Sequence, residues 1–174
     1  MIVSVEEAKE QLDFHEWSDA KIKRKLTAIE AAIRSYCNNN FQNRNIRCIT
    51  SIVDGILCGI HPIIKAGDTI QISNSKYNAG LYVLKQQEDI LVTDAALEDE
   101  QNVMITKIEY PADIVDCCFD LMEWESTMRE KVGISSETIS RHSVSYVAND
   151  ASNTVEGYPA ALFGKCRKYR KARC

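Results

Sequence analysis

Between Ser18 and Cys37 the apolar residues Ile22, Leu26, Ile29, Ile33 and Tyr36 recur every third or fourth position. That is the period of a helix with one buried face. From about residue 46 to 109 the period is lost. "DTIQIS", "GLYVL", "DILVTD" and "NVMITKIEY" alternate or run β-branched and aromatic, as strands do. Turn signals separate them: Ala66-Gly67-Asp68, Asn74-Ser75, Asn78-Ala79-Gly80 and Glu88-Asp89. The helical period returns after Pro111 with Ile114, Val115, Cys118, Leu121, Met122, Met128 and Val132, and Gly133 is a natural stop. A chain that changes period twice must build two kinds of packing. The expectation is an α+β fold: a small helical bundle with long antiparallel helices, interrupted by a small β-barrel-like insertion.

Smaller signals fill in the rest. Ser4 and Glu7 have capping-box spacing and open a short helix over about 4–13. Ser18 caps the helix over 18–37, and the polar run "NNNFQNRN" ends it. "ANDASNTVEG" has no periodicity and reads as a mobile loop. Pro159 can start a last short helix toward Tyr169. The expected organisation is a helical core from 1–45 and 110–147, a β module over 46–109, and a loop with a flexible C-terminal arm over 148–174.

Few residues offer chemistry. Cys58 and His61 have C-x-x-H spacing, but zinc needs four ligands and no second pair exists. Cys117 and Cys118 are adjacent on one helix and point about 100° apart, so they cannot form one chelate. Asp13, His15 and Glu16 cluster between two helices and read as a solvated turn. "ALEDEQ" lacks the alternation of a calcium loop. Tyr77, Tyr82 and Tyr110 resemble a stacking surface for single strands, but the β region is acidic and repels phosphate. Phosphate loops, nucleophile elbows and H-E-x-x-H are missing. The expectation is therefore no catalytic residue, no metal and no cofactor. The seven cysteines are an odd, scattered set and read as free thiols. No stretch approaches a transmembrane span, and the start lacks a signal-peptide pattern, so a cytoplasmic origin and no membrane partner are expected.

The strongest anomaly is the end. Residues 161–174, "ALFGKCRKYRKARC", hold six Lys or Arg and no acid, in a chain of net charge −4. Without those six, 15 basic residues face 25 acidic ones. Leu162, Phe163, Cys166 and Tyr169 recur between the charges, so the segment reads as an amphipathic docking element, steered by charge and held by apolar contact.

The order of these features resembles the head–tail connector (adaptor) family of long-tailed bacteriophages. The resemblance rests on "MIVSVEEAKEQLDF", "EYPADIVDCCFDLMEWE", "VGISSETISRHSVSY" and "GYPAALFGKCRKYRKAR", covering about 1–40 and 110–174. Within the last two lie Gly133, Ser136-Glu137, Ser143-Val144-Ser145-Tyr146 and Tyr169-Arg170. The plainest family members join these helices directly, so the β region is a departure. The resemblance implies a structural virion protein, assembled in the bacterial cytoplasm, that forms a ring, typically dodecameric, beneath the portal. Its partners would be copies of itself, the portal, the next neck or tail-completion protein, and DNA passing without sequence-specific binding. It assigns portal docking to Leu162, Phe163, Lys165, Arg167, Lys168, Tyr169, Arg170, Lys171 and Arg173, with Ala148–Gly157 as a leash. Subunit contacts would use Ile22, Leu26, Ile29, Ile33, Ile114, Leu121 and Met128. The competing reading is a nucleic-acid-binding module that uses the basic tail.

Overall fold

The computed structural model describes residues 1–14, 17–129, 136–139, 142–145 and 153–172. The chain divides into two compact units, Met1–Asn39 with Pro111–Cys174, and Asn40–Tyr110.

The first unit is helical. Helix α1 (Val5–Gln11) opens with a complete capping box. Ser4 Oγ accepts from the Glu7 amide at 3.1 Å, and the Glu7 carboxylate accepts from the Ser4 amide at 2.8 Å. Two orphan amide donors are satisfied reciprocally. Helix α2 (Asp19–Cys37) is capped by Ser18 and ends at Asn38 in the left-handed conformation, which a short polar side chain tolerates. Helix α3 (Ala112–Thr127) follows Pro111, which sits at the N-cap rather than in the first turn. The buried carboxylate of Glu125 pairs with Lys25 and with Arg129. Lys25 lies in the first half of α2 and Glu125 near the end of α3, so the two helices run antiparallel.

Ile22, Leu26, Ile29, Ile33, Ile114 and Leu121 are all buried in this unit's own core. That placement differs from the expectation that they face neighbouring subunits. The reason is a third layer. The segment 153–172 folds back and covers the surface that a two-helix pair would leave bare. Of the seven residues expected at subunit contacts, only Met128 keeps substantial exposure, at 39%.

The second unit is a six-stranded antiparallel sheet, with strands β1 (Gln42–Val53), β2 (Ile56–Leu57), β3 (Thr69–Ser73), β4 (Gly80–Gln87), β5 (Ile90–Thr93) and β6 (Glu100–Ile108). Their spatial order is β2-β1-β6-β3-β4-β5. It is an open sheet, not the barrel expected, and it is a principal part of the fold rather than a small insertion. The two edge strands are only two and four residues long. Closure into a barrel needs every neighbouring pair hydrogen-bonded in a fixed stagger, and β2 and β5 share no such ladder. One face instead gathers Ile46, Ile52, Ile70, Ile72, Leu84, Val103 and Ile105, while Leu57, Ile64 and Leu97 complete the cluster. Each such aliphatic side chain contributes about 1.5–3 kcal/mol on burial.

Strand β1 begins inside the run "NNNFQNRN", which reads as a loop in the sequence. Gln42 and Asn43 pair with Ile108 and Lys107 of β6, and a register shift follows before Arg47. Ladder pairing overrides the poor strand propensity of Asn. The β1–β2 turn uses Asp54 and Gly55, with φ of 52° and 73°. Both signs are positive, as the tightest hairpin turn requires.

Glu100 organises the loop between β3 and β4. Its carboxylate accepts from Ser75 Oγ at 2.5 Å, the Lys76 amide at 2.6 Å and Asn78 Nδ2 at 2.9 Å. These donors, led by Ser75 and then Lys76, lower its pKa to about 2 from an ordinary 4.5. A depressed folded-state value means full stabilisation above about pH 4.5, lost as pH falls toward 2. The Glu100→Gln chain is therefore expected to be less stable than wild type at neutral pH, by a margin that shrinks as pH falls through that window. Urea unfolding followed by the amide resonances of residues 74–78 checks this. A margin independent of pH contradicts it.

Two further antiparallel pairs lie in the helical unit: β7 (Ser136–Ile139) with β8 (His142–Ser145), and β9 (Thr154–Val155) with β10 (Tyr158–Pro159). The chain then winds into a terminal helix of 3-10 geometry, Ala160–Tyr169.

Candidate functional site

The terminal helix is a clasp, and its seat is built by residues distant in sequence. The β9–β10 hairpin delivers it. Glu156 and Gly157 turn the chain with φ of 50° and 81°. Ser35 Oγ of α2 donates to Glu156 at 2.9 Å, and Arg129 Nη1 donates to the Gly157 carbonyl at 2.8 Å. The loop read as a leash is thus anchored at Glu156 by α2 and at Gly157 by Arg129, just past the end of α3, while Ala148–Ser152 lie outside the described residues. Tyr158 is buried and stacks edge-on against Trp124, with centroids 5.4 Å apart. Its hydroxyl is pushed up to about 12, first by burial and then by the nearby Glu125 carboxylate.

Phe163 is the anchor. It is fully buried, 4.9 Å from the Tyr36 ring and 6.5 Å from the Tyr158 ring by centroid. Cys166, one turn further on, is also fully buried. Its Sγ donates to Cys117 Sγ at 3.0 Å, and Cys37 Sγ donates to the Cys166 carbonyl at 3.6 Å. Cys117 Sγ donates to the Leu162 carbonyl at 3.4 Å. Helix α2 closes the far end. Asn39 Nδ2 donates to the Tyr169 carbonyl at 3.2 Å, and the Lys171 amide donates to the Cys37 carbonyl at 2.8 Å.

Charge lies on the rim. Asp113, Asp116 and Asp120 fall three and four residues apart on α3 and form one acidic stripe. Lys165 pairs with Asp120 at 2.7 Å and Asp116 at 3.8 Å; Lys168 pairs with Asp113 at 2.5 Å. Tyr169 Oη donates to the same Asp113 carboxylate at 2.8 Å. Lys168 first, then Tyr169, hold Asp113 below its usual carboxylate range, and the aspartates raise both lysines. Arg167, Arg170 and Lys171 stay exposed, with the Arg170 guanidinium 5.0 Å over the Tyr36 ring.

The sequence-derived docking set therefore divides. Phe163 faces inward, Leu162 and Tyr169 are half-buried, Lys165 and Lys168 are exposed but ion-paired, and Arg167, Arg170 and Lys171 face out. Arg173 lies outside the described residues. Residues 160–172 lie on α2 and α3 rather than standing off as a flexible arm. The acidic stripe on α3 was visible in "ADIVDCCFD" but has meaning only beside the tail's positives.

The other sequence candidates are scattered. Cys58 is exposed, and His61 Nδ1 accepts from the Ile63 amide at 3.3 Å. Among the described residues no group of three or more His, Cys, Asp or Glu is placed to hold a metal ion. His15 and Glu16 lie outside the described residues. Tyr82 Oη donates to the Asn78 carbonyl, Tyr110 packs on Phe41, and Tyr77 is exposed, so the three tyrosines do not form one stacking surface. Among the described residues no helix is long and apolar enough to cross a membrane. No protein-family model matches the chain, and no curated protein matches it.

Two outcomes follow from the clasp. Phe163→Ala should cost the helical unit about 3–5 kcal/mol, read as a lowered urea midpoint for tryptophan fluorescence. A change under about 1 kcal/mol would show that the seat is not closed by this ring. Asp113→Asn removes the partner of Lys168 and Tyr169, and should speed tryptic cleavage after Arg167 and Lys168 by less than about tenfold, because exposed ion pairs add little.

Proposed function

We propose that this chain is a structural head–tail connector of a long-tailed bacteriophage, a ring-forming virion protein without catalysis. The observation that carries the reading is a basic terminal helix, seated on the α2–α3 pair, in a chain whose ordered motifs resemble that family. In this reading the ring lies beneath the portal, presents a platform to the next neck or tail-completion protein, and lets DNA pass. The net charge of −4 suits a lining that does not hold phosphate.

The geometry refines how docking would work. Phe163 cannot fill its own seat and a portal pocket at once. We assign docking to the outward face, Arg167, Arg170 and Lys171, with Phe163 holding the helix in place. Electrostatic steering then sets the rate of encounter. Subunit contacts in the ring must use surfaces other than the buried stripe of α2 and α3, and Met128 marks one.

The test mixes the full chain with the portal ring it is encoded with and follows co-elution by size-exclusion chromatography with light scattering. Truncation before Tyr158 would open the core, so the variant replaces Arg167, Arg170 and Lys171 with alanine. The wild-type chain should co-elute at ring-like mass, and the variant should bind at least tenfold more weakly at low salt. If neither binds, the connector reading fails. If the wild-type chain instead binds DNA with affinity falling steeply with salt, the nucleic-acid reading replaces it.

A further inference from the structure

We infer that Cys117 and Cys166 form an oxidation site, at which a low-molecular-weight disulfide converts the two thiols into an intrachain disulfide that fastens the terminal helix to α3. The inference does not depend on the connector reading.

The selection is geometric. Cys37, Cys117 and Cys166 meet where α2, α3 and the terminal helix join, and all are fully buried. Cys166 Sγ lies 3.0 Å from Cys117 Sγ, and Cys37 also reaches the Cys166 thiol. Cys37 points its own thiol at the Cys166 carbonyl. Cys118 is also buried, but its neighbouring position on α3 turns it about 100° from Cys117.

While the clasp is closed the pair is inert. A hydrogen bond with Cys117 pushes the Cys166 thiol up to about 12, opposed by a hydrogen bond with Cys37 and helped by burial, and the thiolate is the reactive form. Reaction begins when the terminal helix lifts and Cys166 meets water. The Cys166 thiolate attacks one sulfur of the small disulfide, whose S–S bond breaks. A mixed disulfide forms, and the departing small thiolate takes up the proton Cys166 lost. Re-seating the helix brings up Cys117, whose thiolate attacks the Cys166 sulfur. The second small thiol leaves with the proton from Cys117. Two protein thiols are oxidised to one disulfide, and one small disulfide is reduced to two thiols. In a reducing cytosol the same exchange runs backward. The new bond joins positions 49 residues apart, and closing a loop that long restricts the unfolded chain strongly.

The experiment incubates the full chain with glutathione disulfide, blocks free thiols with an alkylating reagent, and maps peptides by mass spectrometry. The expected product links the Cys117 peptide to the Cys166 peptide with loss of two hydrogens. It should form in wild type and in Cys118→Ala, and be lost in Cys117→Ala and Cys166→Ala. The unfolding temperature should rise on the order of 10 °C and return on treatment with a dithiol. Exposed Cys58 and half-buried Cys48 should carry only glutathione adducts. An oxidised wild-type chain with adducts alone, or with Cys166 joined to Cys37 or Cys118, overturns the proposal. Because alanine at a buried position risks unfolding the chain, the wild-type peptide map decides by itself.

Discussion

The burial of Phe163 between Tyr36 and Tyr158 is the contact on which the helical unit depends. A 3-10 helix of ten residues has poor hydrogen-bond geometry and no stability of its own in water. Something tertiary must hold it. Exposed ion pairs to the α3 aspartates contribute little each, whereas a fully buried aromatic ring contributes several kcal/mol. The ring therefore sets the affinity of the clasp, and the charges set its register along α3. Cys166, the hairpin at Glu156-Gly157 and the Lys171 amide then fix the two ends.

That hierarchy explains why a strongly basic end can belong to the fold. The acidic stripe of Asp113, Asp116 and Asp120 would be a single-sign patch without Lys165 and Lys168 beside it. With them, the outward charge among the described residues of the terminal segment lies on Arg167, Arg170 and Lys171. A partner that reads this surface meets a rigid, pre-ordered helix and does not have to order it on binding. The sheet unit solves a different problem. Its edge strands do not pair with each other, loops carrying Ile64 and Leu97 complete the apolar face, and the Glu100 carboxylate ties down the β3–β4 loop.

Periodicity made the helices legible. The α2 stripe from Ile22 to Ile33 is buried, and the Ser4 and Ser18 caps are in place. On α3 Ile114, Cys118, Leu121 and Met122 are buried, while Val115 is half-buried, Met128 lies exposed past the helix end, and Val132 lies outside the described residues. The strand stretches from Asp68 onward were legible for the same reason. Three things were not. The start of β1 is written in asparagines and glutamines, and only pairing with β6 makes them a strand. Openness of the sheet depends on whether the two edge strands pair, which alternation does not encode. The seat for Phe163 is assembled from Tyr36 and Tyr158, with Trp124 packed behind Tyr158, and no local pattern connects these residues. An amphipathic end announces that it docks, but whether on its own chain or on another is a matter of tertiary geometry.

The most direct measurement of the clasp is amide hydrogen exchange across residues 160–171 in the isolated full chain. If the terminal helix is seated, amides such as Lys171, which donates to the Cys37 carbonyl, exchange orders of magnitude more slowly than in an unfolded chain. Exchange at the unfolded rate throughout the segment would contradict the account, and would return the basic end to a free arm.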